Sequence, residues 1–446
     1  MKEKACFVSV LFLLMFISAS VFGQERQEVL NDRLNAIITN EMSNREFESA
    51  IEKLKALLSE QDIEQFPQLE YNALDNLLHI YAARTGEPGP IPFFETALAY
   101  FKRATDLFPE YIDSTQYANI LDVGARLYFA KYLHEKQESD FKTLKEYLEL
   151  ALGFCGDNSA LYERIIGFYA VVMFTGFEFE KDKSIIYEIG EFLLGPEVKA
   201  RRIRGALPFD TYHQLLAKYY YNLSKIEHRR ENLNRALENY DVLYGIMPKD
   251  SNTIRFENTP TDKFMLVDLL DIFSELGTIE NNRHYLFMAI TMADFLIHAC
   301  RSPHDELLKL NVIIKKGFSY QLLAYLDIHR DYSDSALQIY DDMMEDPRVQ
   351  SLTALQSQIE FGQASVYLLK AKRADVKNNL IRTLEHFNRA RALMSQTDDP
   401  SYEGRSQIDF YRASAFLMMS SIENRRANLD SVRQILERVA PIVSKN

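Results

Sequence analysis

The chain has 446 residues, 47% of them hydrophobic, with 51 Lys and Arg against 64 Asp and Glu and a formal net charge of −13. That apolar content excludes a disordered chain and supplies a large core. The acidic balance repels phosphate backbones, so no nucleic-acid partner is expected.

The N-terminus reads MKEKACFVSVLFLLMFISASVFG-QE, in which Lys2 and Lys4 precede an uncharged apolar run from Ala5 to about Ile17. Small or tolerated residues follow at Val21 and Gly23. This is the pattern of a secretory signal over residues 1–23, cleaved after Gly23. The run is shorter than the ~20 apolar residues of a membrane span, and no second stretch of that length is read further on. Cys6 stands at the start of the run rather than directly after it, which argues against lipid attachment. Cleavage would leave residues 24–446, with 49 basic residues, 63 acidic residues and a net charge of −14. The expected location is periplasmic, extracellular or surface-associated, in a bacterial envelope. Only Cys155 and Cys300 remain in that segment, so stability has to come from packing rather than cross-links.

From residue 27 onward the spacing predicts helices in pairs. The first covers about 27–60, with NREFESAIEKLKALLSE as its second helix. The second, 67–110, holds the Pro- and Gly-rich insert GEPGPIP (86–92). Its second helix places Ala97, Phe101 and Ala104 of ALAYFKRATDLFP at i, i+4 and i+7, and Pro109 closes it. Further pairs follow at about 114–155 and 158–195, and KARRIRGALP links to a fifth at 208–248. Four more span 260–302, 304–347, 351–398 and 401–443. No β-alternation long enough for a sheet and no interdomain linker is visible, so the expectation is a single all-α domain over 24–446.

The later pairs repeat one another. IEHRRENLNRALENYDVLYGIMPKD begins at Ile226, and IENRRANLDSVRQILERVAPIV begins at Ile422, 196 residues later. In the helix before each phrase, an aromatic, an aliphatic and a small residue recur: Tyr220, Leu223, Ser224 and Phe416, Met419, Ser420. The figure returns at Phe273, Leu276, Gly277, at Tyr320, Leu323, Ala324, and in weaker form at Tyr367 and Ala371. The aromatics are spaced by 53, 47, 47 and 49 residues. Sixteen residues after each stands Ala236, Ala289, Ala336, Thr383 or Val432, and four further on Tyr240, Ala293, Tyr340, Phe387 or Leu436. A helix-ending proline is read near each unit's close, at Pro248, Pro303, Pro347, Pro400 and Pro441. Small residues at the crossings let paired helices approach, and the aromatics fill the space beside them.

Taken together, these residues resemble the tetratricopeptide repeat superfamily. Its pattern is an aromatic, Leu and Gly in the first helix, then Ala, an aromatic, Ala and a Pro in the second. ALAYFKRATDLFP matches the second half, whereas residues 114–205 fit worst, and the units of 47–53 residues exceed the superfamily's usual length. The resemblance implies an open right-handed α-solenoid of about nine antiparallel pairs, elongated and curved, with first helices lining a concave binding face.

Candidate sites are few. HACRSPH places His298, Cys300 and His304 within seven residues, but Pro303 ends the helix between them and a fourth ligand is missing, so no metal is expected. Cys155 and Cys300 occupy the same slot in separate units, too far apart to pair, and are expected as free, buried thiols. KARRIRG (Lys199–Gly205) is read as a solvated connector rather than a dock for an acidic partner. In LAKYYYNL, Tyr220 is the packing residue, leaving neighbours to reach a groove. The contact candidates are therefore Lys218, Tyr219 and Gln321. Phosphate loops, nucleophile elbows, HExxH pairs and EF-hand loops are absent from the sequence, and no cofactor is implied.

Three functions compete. An exported, non-enzymatic scaffold would hold an envelope protein or peptide on first helices. A secreted α/α-toroid enzyme acting on polysaccharides would use similar pairs, but nine exceed its ring and the chain has no Trp. A solute-binding accessory of an envelope transporter would need an enclosed pocket. The scaffold is the favoured reading.

Overall fold

In the computed structural model, the described residues are 26–42, 46–60, 62–84, 93–248, 254–256, 263–327, 332–396 and 402–443. The proposed signal segment and the GEPGPIP insert lie outside them.

The described chain is a succession of nineteen helices, and the boundaries follow local chemistry. Helix α1 spans 26–36 and runs into a π-helical segment, Ile37–Met42. It is followed by α2 (Phe47–Leu58), α3 (Pro67–Arg84), α4 (Phe94–Thr105), α5 (Ser114–Glu135), α6 (Glu138–Phe154), α7 (Ser159–Glu180) and α8 (Lys183–Leu193). Asp113 and Gln116 cap α5 reciprocally, and Asn158 and Asp182 cap α7 and α8 through their side chains. These helices form the first four pairs in the expected places.

The linker KARRIRG is itself structured, in the short helix α9 (Pro196–Ile203), with Pro196 in its first turn. Then come α10 (Phe209–Ser224), α11 (Arg229–Tyr244), α12 (Lys263–Ile279), α13 (Arg283–Ala299), α14 (Glu306–Leu326), α15 (Ser333–Glu345), α16 (Thr353–Ala371), α17 (Val376–Met394), α18 (Tyr402–Met419) and α19 (Arg425–Val443). Two proline readings need correction. Helix α11 stops at Gly245, which takes a left-handed φ of 54°, and Pro248 belongs to a three-residue strand β1 (Ile246–Pro248). This strand pairs antiparallel with β2 (Ile254–Phe256), a small ladder the sequence did not announce. Helix α19 runs through Pro441 to Val443.

By contact the described residues fall into two compact units, one ending at Leu215 and the other beginning at Leu216, with the division inside α10. In the first unit α3 packs on α5 and α5 on α7; in the second α12 packs on α14, α14 on α16 and α16 on α18. First helices of consecutive pairs thus lie side by side, the contact pattern of stacked repeats.

The crossing positions behave as the repeat demands. Ala236, Ala289, Ala336 and Thr383 are fully buried, as are Ala324, Tyr240 and Phe387. The last unit departs: Leu436 is exposed. A further rule was not read from the sequence. Rings on second helices seat over glycines of the next first helix, where any Cβ would overlap them: Phe101 over Gly124, Phe141 over Gly176, and Tyr340 over Gly362.

Helix α7 corrects another expectation, because it is long and apolar enough to cross a membrane by length and composition. More than half of that stretch is buried within the protein, with Leu161, Ile165, Ile166 and Met173 in the core. A helix buried on most sides is apolar nearly all round for that reason.

Candidate functional site

The first helices of the last three pairs leave a groove between them in the second unit. One cavity of about 260 Å³ is lined by residues of α14, α16 and α18 together with Tyr340 and Met394. A second, of about 350 Å³, continues along the same helices toward Tyr325, Lys372 and Tyr411. Phe318, Gln321, Phe361 and Gln407 line both, which makes them one continuous groove.

Helical spacing explains the lining. On α14, Phe318, Gln321 and Tyr325 fall at i, i+3 and i+7; on α16, Gln358, Phe361 and Ser365 share one face, with Lys372 at its C-terminal cap; on α18, Gln407 and Tyr411 are one turn apart. Phe318 and Tyr325 are exposed, while Tyr340, only 1% exposed, forms the floor. The Tyr340 hydroxyl donates to Gln321 Oε1 at 3.5 Å, and Lys315 Nζ is held by Asp271 at 2.5 Å. Aromatic faces, aliphatic side chains and primary amides line it together. A glutamine amide both donates and accepts, which matches a peptide group. The lining contains no His, Cys, Asp or Glu, so it presents no general acid or base of those types.

Of the three residues picked from the sequence, Gln321 sits at the centre of this groove. Tyr219 is a correction: it is 7% exposed and cannot be an open contact residue. Within LAKYYYNL, Tyr220 packs half-buried against the core of the second unit as expected, and Tyr219 and Tyr221 are buried more deeply than it. Tyr221 is drawn in by its hydroxyl, which donates to Asp271 at 3.1 Å. Lys218 is not a free contact either. Its ammonium donates to both oxygens of Asp268, at 2.7 and 2.8 Å.

That pairing belongs to a pattern the sequence reading missed. Several carboxylates are buried on first helices and matched by a cation. Glu70 takes Arg103 at 2.5 Å, Asp122 takes Arg126 at 3.3 Å and Arg164 at 3.1 Å, and Glu360 takes His386 at 2.7 Å and Arg389 at 3.0 Å. The signal was available only as acids at first-helix positions that should have been apolar.

The other candidates resolve into packing. Arg201 of KARRIRG lies over the Tyr162 ring at 4.1 Å and donates to the Gly156 carbonyl at 2.9 Å, and Arg202 lies against Phe209 and Tyr212. The segment is thus half anchored rather than a solvated connector. Cys300 caps α13, and the described residues hold no group of three or more His, Cys, Asp or Glu arranged for a metal ion.

Cys155 and Cys300 are free and buried, each just past the end of its second helix. Burial pushes the Cys155 thiol up to about 11. A thiol raised in this way contributes stability that is full below its ordinary value of about 8.5 and is lost as pH climbs through its folded one. Iodoacetamide at pH 8 should leave both thiols of the native protein intact and label both in denaturant. Labelling of native Cys155 would contradict its burial.

The fold defines a class, the helical-repeat proteins, here with a groove across first helices of the second unit. No protein-family model and no curated protein matches the chain. Among solved structures, the human IFIT1 dimer with PPP-AAAA is similar at 14% identity, over 93% of this chain and 94% of that one, with a TM-score of 0.28. A circular tandem repeat protein with novel repeat topology and enhanced subunit contact surfaces is similar at 12% identity, over 94% of each chain, with a TM-score of 0.23. Scores of that size carry no argument about this chain's ligand.

Proposed function

We propose that this protein is an exported, non-enzymatic, tetratricopeptide-like binding protein whose groove across α14, α16 and α18 holds an extended peptide segment of a protein partner. The observation that carries the reading is the lining itself: aromatic faces alternating with Gln321, Gln358 and Gln407, and no His or carboxylate among them. Apolar side chains of a peptide would cover Phe318, Phe361 and Tyr325, and its backbone amides would meet the glutamines. Export is supported by the basic and apolar pattern of residues 2–23.

A random peptide library panned over residues 24–446 tests the groove. Selected peptides should bind the wild-type chain and lose about 1–2 kcal/mol or more with Phe318→Asp or Gln321→Ala, as the few best contacts of an interface do. Phe318→Asp should keep the wild-type melting temperature, because Phe318 is exposed, whereas Gln321→Ala also removes the acceptor of the Tyr340 hydroxyl and should cost about 0.5–1 kcal/mol of stability. Selected peptides that bound both variants as well as wild type would remove the groove from consideration. Export is checked separately, by the N-terminal residue of the protein from its native cell, expected to be Gln24.

A further inference from the structure

A charge imbalance in the last two pairs is used by neither the groove nor the repeat packing. Asp409, buried on α18, accepts from Arg412 Nη1 at 2.7 Å and faces Arg391 Nε of α17 at 3.1 Å. Arg438 Nη1 of α19 approaches its other oxygen at 3.6 Å. Arg405 stands one turn before Asp409 on α18, donates to the Met394 carbonyl at 3.2 Å and has no acidic partner among the described residues. Three guanidiniums, those of Arg391, Arg412 and Arg438, therefore gather around one carboxylate, with Arg405 one turn away along α18, in a chain whose formal net charge is −13. The Nε atoms of Arg405 and Arg412 are buried with no hydrogen-bond partner.

A structural ion pair does not require this excess. In the same unit, Asp268 is met by Lys218 alone, and Glu360 by one arginine and one histidine. Each additional cation adds repulsion, and a donor buried without an acceptor is rare in folded proteins. All four cations are arginines, whose planar forks match the paired oxygens of carboxylate and phosphate groups. Arg391 and Arg438 remain partly open to solvent, so a ligand can reach the cluster.

We propose that Arg391, Arg405, Arg412 and Arg438 form a binding site for an oxyanionic group, a phosphate or a carboxylate, with Asp409 as the internal counter-charge that holds the arginines together when the site is empty. The site stands whether or not the groove takes a peptide.

The test titrates residues 24–446 with inorganic phosphate and, separately, with acetate, at an ionic strength held constant with chloride. Either anion should raise the melting temperature above its chloride control, and the stronger of the two identifies the chemistry. The double variant R405Q/R438Q should lose the increment. Arg433→Gln on α19, whose guanidinium pairs with Asp430 and Glu437 at 3.8 Å, should retain it. Should the double variant not fold, Arg405→Lys, which keeps the charge and loses the fork, must by itself weaken the increment. Asp409→Asn removes the internal competitor and should tighten phosphate by about tenfold. Equal increments in chloride, or increments unchanged in the Arg405 and Arg438 variants, would overturn the proposal.

Discussion

Tyr340→Ala should lower the unfolding free energy of the second unit by about 3–5 kcal/mol, the range for emptying a large aromatic site. Tyr340 on α15 is 1% exposed and fills the gap between two first helices at their glycines. A Cβ on Gly317 would stand 2.8 Å from its ring, and one on Gly362 would stand 2.5 Å from it. Nothing else can enter that gap, so the variant leaves a cavity bounded by bare backbone. Tyr340→Phe is the control. It keeps the ring and loses only a hydroxyl whose bond to Gln321 is 3.5 Å long, and should cost about 0.5–1 kcal/mol. Urea unfolding measures both. A Tyr340→Ala loss no larger than that of Tyr340→Phe would mean that the ring does not join α14 to α16.

Gly277→Leu on α12 should be the next most damaging, by about 1–3 kcal/mol and with backbone displacement in addition. A Cβ there would lie 2.6 Å from Leu286 Cδ2 and 3.2 Å from the Leu286 backbone nitrogen. The side chain of Leu286 can move, but its backbone cannot without shifting α13. An unchanged melting temperature would refute the repeat register built on this residue.

Asp268→Leu, on the same helix, is expected from sequence to be nearly silent, and the structure reverses that expectation. Asp268 is 6% exposed and accepts from Lys218 and from the buried Tyr240 hydroxyl at 3.1 Å. Leucine removes that buried acceptor, at about 1–3 kcal/mol, while Lys218 turns to water. Burial raises the Asp268 carboxyl above its ordinary value, against the pull of Lys218. A raised carboxyl contributes stability below its unfolded value and loses it as pH rises through the folded one. The melting-temperature advantage of wild type over Asp268→Asn should therefore shrink from acid toward neutral pH.

The contrast between Gly277 and Asp268 shows what was legible. Gly277 was readable because a small residue recurs directly after an aliphatic one, four positions after an aromatic, in unit after unit, and a recurring small residue has a packing cause. Asp268 was not, because a carboxylate reads as solvent-facing until its neighbours are known. The same limit hid Glu70, Asp122 and Glu360. It also misplaced Tyr219: three consecutive tyrosines point in three directions, and which of them is covered depends on where α10 lies.

Gln321 was reached by reasoning about exposed positions beside the repeat aromatics, and it does line the groove. Gln358 and Gln407 could have been reached too, since they stand 49 residues apart, the offset of Tyr367 and Phe416. Phe318 and Phe361 could not, since an aromatic on a helix is read as core by default.

By itself, the sequence determined the all-α class, the placing of the nine helix pairs and the small residues at their crossings. These follow from local periodicity and from steric exclusion, which act through the nearest residues and the nearest helix. Only the tertiary structure decided the division inside α10, the seating of second-helix rings on the next pair's glycines, the pairing of buried acids, and the groove. Each depends on atoms about 20–50 residues apart along the chain coming within a few ångströms, and helical period carries no information about such distances.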